Sequence, residues 1–157
     1  MVGVWSGRRK DVAAALLLTA ALTAALLAQG ALAPSADART GRRDHMVSLT
    51  NTDRAERGRE ALGLNAKLSR YAKKHSRDMA QAGYLFHTED LTARLKGVDW
   101  SIGGENVGVG SDLDGLQDAF MRSKPHRRNI LGSRFEHVAI GIVQTDDSFW
   151  VTVIFYG

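Results

Sequence analysis

Residues 137–157 read HVAIGIVQTDDSFWVTVIFYG, two β-rich runs around Thr145-Asp146-Asp147. Val, Ile, Phe, Trp and Tyr dominate both runs, and the polar triplet between them is hairpin chemistry. A strand with one wet face alternates apolar and polar residues; these runs do not. Val138, Ile140 and Ile142 share one face, with Ala139 and Val143 on the other. In the second run Phe149, Val151, Val153 and Phe155 oppose Trp150, Ile154 and Tyr156. A strand that is apolar on both faces needs a covering layer on each, and the rest of the chain offers mainly helices for that purpose. The expected fold class is therefore α+β: an α-β-α sandwich, with a central, mainly antiparallel sheet between helical layers.

Upstream segments fit that plan. GGENVGVG at 103–110 reads as a further strand. Asp44 is positioned to cap a helix that runs to about Arg57, after the polar lead-in RTGRR at 39–43. Asn65 is the expected N-cap of a second helix ending at Ala82 before Gly83. Its Leu68, Tyr71, Ala72, His75 and Met79 form one stripe. LTARL at 91–95 is a short helical turn. Ser111 or Asp112 opens a helix that turns Leu113, Leu116, Phe120 and Met121 inward. Pro125 ends it and suits the first turn of another, closed by Gly132.

The N-terminus has a different composition. Arg8-Arg9-Lys10, an uncharged apolar run from Val12 to Ala28 and the small residues ALAPSADA have the layout of a secretory signal peptide. Cleavage after Ala38 gives two segments: a leader, 1–38, and one domain, 39–157. It removes three basic and two acidic residues and takes the formal charge from +4 to +3. That charge is too small to argue for nucleic acid. The chain has no cysteine, so an exported domain must fold without disulfides, and thiol chemistry is excluded.

Familiar hydrolase, zinc-protease and phosphate-loop motifs are absent. The candidate residues sit at element ends. His75 lies on an apolar helix stripe and reads as a hydrogen-bonded core residue. His87 follows the apolar Tyr84-Leu85-Phe86 at the start of an irregular segment. Glu105 opens a strand after two glycines, and His126 falls in the first turn of a helix, where the dipole disfavours imidazolium. Two neutral histidines and a carboxylate make a His₂Glu set, a zinc arrangement with an open position. In a strand Glu105 and Asn106 point to opposite faces. Asn106 is then free to tie down backbone, and Glu105 either faces a cleft or accepts buried N–H groups.

The runs NTDRAERG, LGLNAKLSRYAKKHSRDMAQAGYLFHTED, GGENVGVG, SKPHRRNIL and the C-terminal hairpin resemble, in order and over residues 44–157, the bacterial branch of the CAP superfamily. These SCP-domain proteins are related to cysteine-rich secretory proteins, antigen 5 and pathogenesis-related 1. The resemblance implies an α-β-α sandwich and a cleft holding two histidines and two acids. The first histidine matches His87, the first acid Glu105 and the second histidine His126. The fourth place is Ser123 here, where many eukaryotic relatives carry glutamate. With His87 and His126 as the metal ligands, a divalent cation, zinc or magnesium, is expected to bind weakly.

The functional expectation is a secreted binding or interaction module, extracellular or at the cell envelope and monomeric. A lipid, glycan or peptide would occupy its cleft, and no nucleic acid is involved. The alternative is a metal-assisted hydrolase acting on envelope or extracellular substrates with Glu105 as ligand or base; a wall protein with a vestigial cleft is a third class. No catalytic residue is assigned outside the hydrolase reading.

Overall fold

The computed structural model describes residues 36–157, with side chains from residue 41 onward. The elements are α1 (Ala36–Ala55), β1 (Gly63–Leu64), α2 (Ala66–Ala82), α3 (Leu91–Leu95), β2 (Gly103–Gly110), α4 (Leu113–Arg122), α5 (Lys124–Ile130), β3 (His137–Gln144) and β4 (Phe149–Tyr156). The sheet order is β1-β3-β4-β2, with β1 parallel to β3 and the other pairings antiparallel. The C-terminal hairpin is thus the middle of the sheet, and β2 is an edge.

Its two faces carry separate cores. Val138, Ile140, Ile142, Val151, Val153 and Phe155 pack with Met46, Leu116, Phe120 and Ile130, from α1, α4 and α5. Ala139, Ile154 and Tyr156 pack with Leu68, Ala72 and Leu95, from α2 and α3. This is the expected α-β-α sandwich, with the face assignments read from the sequence. Val143, Phe149 and Trp150 are only half-buried, so the turn end of the hairpin is less covered than its apolar residues suggest.

Helix α2 is bonded to the sheet as well as packed on it. The Ser69 hydroxyl accepts from the Ile140 N–H at 3.1 Å, and Ser76 Oγ donates to the Gly141 carbonyl at 3.1 Å. Between these anchors a Cβ on Gly141 would collide with the α2 backbone at Ala72 and Lys73. The glycine is there because helix and strand backbones nearly touch.

Helix α1 corrects the sequence reading. It begins at Ala36, so Asp44 is an interior residue paired with Arg43 at 3.3 Å, not an N-cap. The segment taken as a polar lead-in is helical because Ala and Arg are good helix formers and one glycine, Gly41, costs only about 1 kcal/mol. The helix ends at Ala55, two residues early. Its inner stripe is Met46, Thr50 and Arg54, all buried. Arg54, 1% exposed, donates to the carbonyls of Glu60, Ile130, Gly132 and Phe135 at 2.7, 2.7, 3.0 and 3.4 Å. Burial, then neighbouring Arg59, pulls its pKa below the ordinary guanidinium value.

Helices α2 and α4 begin at their expected caps. Asn65 accepts from the Leu68 N–H at 2.9 Å, and Asp112 from the Gly115 N–H at 2.6 Å. The expected leader, 1–38, lies outside the described residues except for its last three, which begin α1. Among the described residues no helix is long and apolar enough to cross a membrane.

Candidate functional site: a histidine–carboxylate pair at the sheet edge

Gly83 ends α2 in the left-handed region, φ 76°, with its N–H on the Met79 carbonyl. The chain reverses there and runs back beside the helix. His75 Nε2 holds the Phe86 carbonyl at 2.9 Å, while its ring meets Phe86 edge-on at 5.0 Å. His75 is therefore the buried, hydrogen-bonded histidine expected from its stripe, and it also fixes the segment that presents His87.

Strand β2 supplies the acid. Residue alternation sends Glu105 to the α2 side and Asn106 to the α4–α5 side. Their cross-strand partners, Ile154 and Val153, belong to the corresponding cores. Glu105 Oε1 lies 2.7 Å from His87 Nδ1 and accepts the Thr88 main-chain N–H at 3.0 Å; Oε2 accepts the Thr88 hydroxyl at 2.6 Å. Tyr71 backs the hydroxyl at 3.3 Å, and its ring carries Arg94 at 4.7 Å. The Glu105 side chain is 5% exposed and that of His87 is 62% exposed. Glu105 accepts a main-chain N–H, as its structural reading expected, and it also grips the histidine.

The hydrogen-bond network also orients His87. A carboxylate oxygen offers only lone pairs, so Nδ1 must be the donor. A neutral His87 ring then keeps its lone pair on Nε2, which has no hydrogen-bond partner among the described residues.

Asn106, fully buried, joins the second histidine to this strand. Its Nδ2 donates to the His126 carbonyl at 3.1 Å, and its Oδ1 accepts from Asn129 Nδ2 at 2.8 Å. Asn129 Nδ2 also reaches the Glu105 carbonyl at 3.1 Å. The role foreseen for Asn106 was tying a loop; its target is the first turn of α5. The His126 ring packs on Phe120 with centroids 5.0 Å apart. Burial lowers its pKa below 6.5, and coulombic interaction with nearby His87, when that ring is protonated, lowers it further. Ser123 sits at the α4–α5 junction, where its N–H closes α4 on Ala119 and Phe120 and its hydroxyl caps nothing.

The structure thus joins His87 to Glu105 directly and brings His126 within electrostatic range of His87. It does not make a three-ligand metal centre of them. Among the described residues no group of three or more His, Cys, Asp or Glu side chains is placed to hold an ion. The physical reason is that Glu105 turns both oxygens toward His87 and Thr88. The set offers at most two imidazole ligands, with Glu105 supporting one of them from behind. Sequence reading missed Thr88, Tyr71 and Asn129, since a hydroxyl after a histidine and an amide in a basic helix are common surface chemistry.

The family model of the cysteine-rich secretory proteins, CAP, matches residues 47–155. The chain belongs to this family. A relative in Bacillus subtilis, the uncharacterised protein YkwD, is 30% identical over 112 residues, 67% of this chain and 43% of that protein. An extracellular SCP-domain protein of Bacillus anthracis superposes with a TM-score of 0.65 at 26% identity, covering 79% of this chain and 44% of the other. A cysteine-rich secretory protein of Staphylococcus aureus gives 0.64 at 25% identity, covering 78% and 40%. The chain spans less than half the length of each of these relatives. CAP membership accounts for the α-β-α architecture; the chain has no cysteine, and the sandwich is held by its two cores and by the polar ties of Ser69, Ser76, Arg54 and Asn106.

Proposed function

We propose that this CAP domain is an exported binding module whose cleft, at the edge of β2, receives a lipid, glycan or peptide at His87 Nε2 and His126. The observation that carries the reading is the engagement of Glu105. A general base needs a lone pair open to substrate or water, and this carboxylate is 5% exposed with three donors on its two oxygens. The hydroxyl beside it, that of Thr88, is itself held between Glu105 and Tyr71. Glu105 acts as a positioning residue, and the ring nitrogens are the atoms left to meet a ligand. The extracellular and secretory neighbours support an extracellular or envelope location for this chain.

Two neutral imidazoles suit weak, exchangeable binding of zinc, which takes nitrogen ligands readily. They do not suit a tightly held resident ion, so metal-assisted hydrolysis is the second reading. A bound cation would supply Lewis acidity; the contribution of this chain would be to orient His87 through Glu105 and keep His126 unprotonated.

Native mass spectrometry of the protein after incubation with envelope lipid extract, peptidoglycan fragments or peptide mixtures tests the proposal. A bound mass that disappears in both His87→Ala and His126→Ala is expected. Turnover of any of these probes that is lost in Glu105→Gln would replace the binding reading with the hydrolase one.

A further inference from the structure

A separate hollow of about 330 Å³ opens between the start of β2 and the turn that follows α5. Arg128 and Arg134 both line it, both are exposed, and neither has a carboxylate partner among the described residues. No Asp or Glu lines it. Glu136, two residues after Arg134, lines a different hollow with Asp99. Ser133 lies between them on the rim, and the main-chain N–H groups of Ser133 and Arg134 have no acceptor among the described residues. The floor is Phe135, whose ring is buried, with Ile102 beside it.

The end of a helix ordinarily repels anions, because its last carbonyls carry partial negative charge. Here the α5 carbonyls of Arg127, Asn129 and Ile130 already have donors, and Arg54 also covers the turn beyond them. Arg54 reaches Ile130, Gly132 and Phe135 from the core side and takes up their oxygens. The turn is left with two unpaired guanidinium groups, a hydroxyl and free amides. That combination favours a compact oxyanion such as a phosphate group, which can accept hydrogen bonds from guanidinium forks and backbone N–H groups together.

We infer that the hollow between Arg128 and Arg134 is a phosphate-binding site, taking the phosphate group of a small ester or of a lipid-type phosphodiester, with the organic part against Ile102 and Phe135. The site is distinct from the histidine cleft and does not rest on the function proposed for it.

The test is amide NMR of the full chain titrated with glycerol 1-phosphate and, separately, with glycerophosphoglycerol. Expected are saturable shifts at Ser133 and Arg134, and affinity weakened at least tenfold in Arg128→Ala/Arg134→Ala, as loss of charge-assisted hydrogen bonds implies. Both side chains are exposed, so the double variant should melt with the parent. Lys124→Ala, a cation outside the hollow, should bind as before. Saturation by the monoester alone assigns a soluble phosphate ester; saturation by the diester assigns a lipid-type headgroup. Absence of saturable binding by either probe, or equal loss in Lys124→Ala and the double variant, would overturn the inference. Loss of binding in His87→Ala would move the phosphate to the cleft and overturn it equally.

Discussion

Replacing Arg54 with methionine should be among the costliest changes available outside the apolar core. The side chain enters between α1 and the turn after α5 and gives its charge to four carbonyls, two of them at 2.7 Å. A hydrogen bond to a charged group contributes about 1.5–3 kcal/mol net, so a plain sum would reach about 6–12 kcal/mol. That sum is too large. Methionine recovers apolar burial, desolvation of the guanidinium is no longer needed, and carbonyls near the surface can recruit water. A buried carbonyl left without a donor costs about 1–3 kcal/mol, so with part of the set rehydrated a net loss of about 3–5 kcal/mol is expected. For a domain of this size that lowers the melting midpoint by about 10–20 °C. Arg54→Lys should fall between, since one ammonium cannot reach all four oxygens. Urea melts followed by circular dichroism give the value, provided the slope is unchanged. A loss below about 1 kcal/mol would mean that these carbonyls do not depend on Arg54, and the account of the turn as a covered helix end would fail.

Gly141→Ala should destabilise by about 3 kcal/mol or more, because the methyl must displace the α2 backbone and strain the Ser69 and Ser76 ties; a chemical melt matching the parent would refute the close approach. The lowered pKa of His126 sets a pH dependence: below about pH 6.5 the unfolded chain takes up a proton that the folded ring resists. Stability should therefore fall as pH drops from 7 through that window and level off below the folded pKa, and His126→Gln should flatten the profile. Superimposable profiles for the two proteins between about pH 5 and 7 would count against the burial of that ring.

Much of this architecture was legible because it follows from periodicity and caps. The double-faced hairpin required two layers, and Asn65, Gly83 and Asp112 marked helix ends with local chemistry that tertiary contacts did not override. Asp44 misled because a good capping residue also tolerates a helix interior, and nothing local says that the helix has already begun eight residues earlier. In the site, His87, Glu105 and His126 could be named from their places at element ends and from family resemblance. The division of labour among them could not. It depends on which way the Glu105 oxygens turn, and that is decided by Thr88 and Tyr71, whose contacts cross 17 residues of chain. Arg54 is equally invisible in sequence: an arginine at the end of a polar helix looks solvated until the carbonyls 76 to 81 residues away are in place.

The central claim is that Glu105 is spent on holding His87, so that Nε2 faces the cleft with a free lone pair. Long-range ¹H–¹⁵N correlation of the histidine rings at a pH where they are neutral reads this directly. The account predicts that His87 is in the Nδ1–H tautomer, with Nε2 showing the shift of an unprotonated nitrogen. A His87 ring in the Nε2–H tautomer, or one averaging freely between the two, would contradict it, because Glu105 would then be free to act as a base or a ligand.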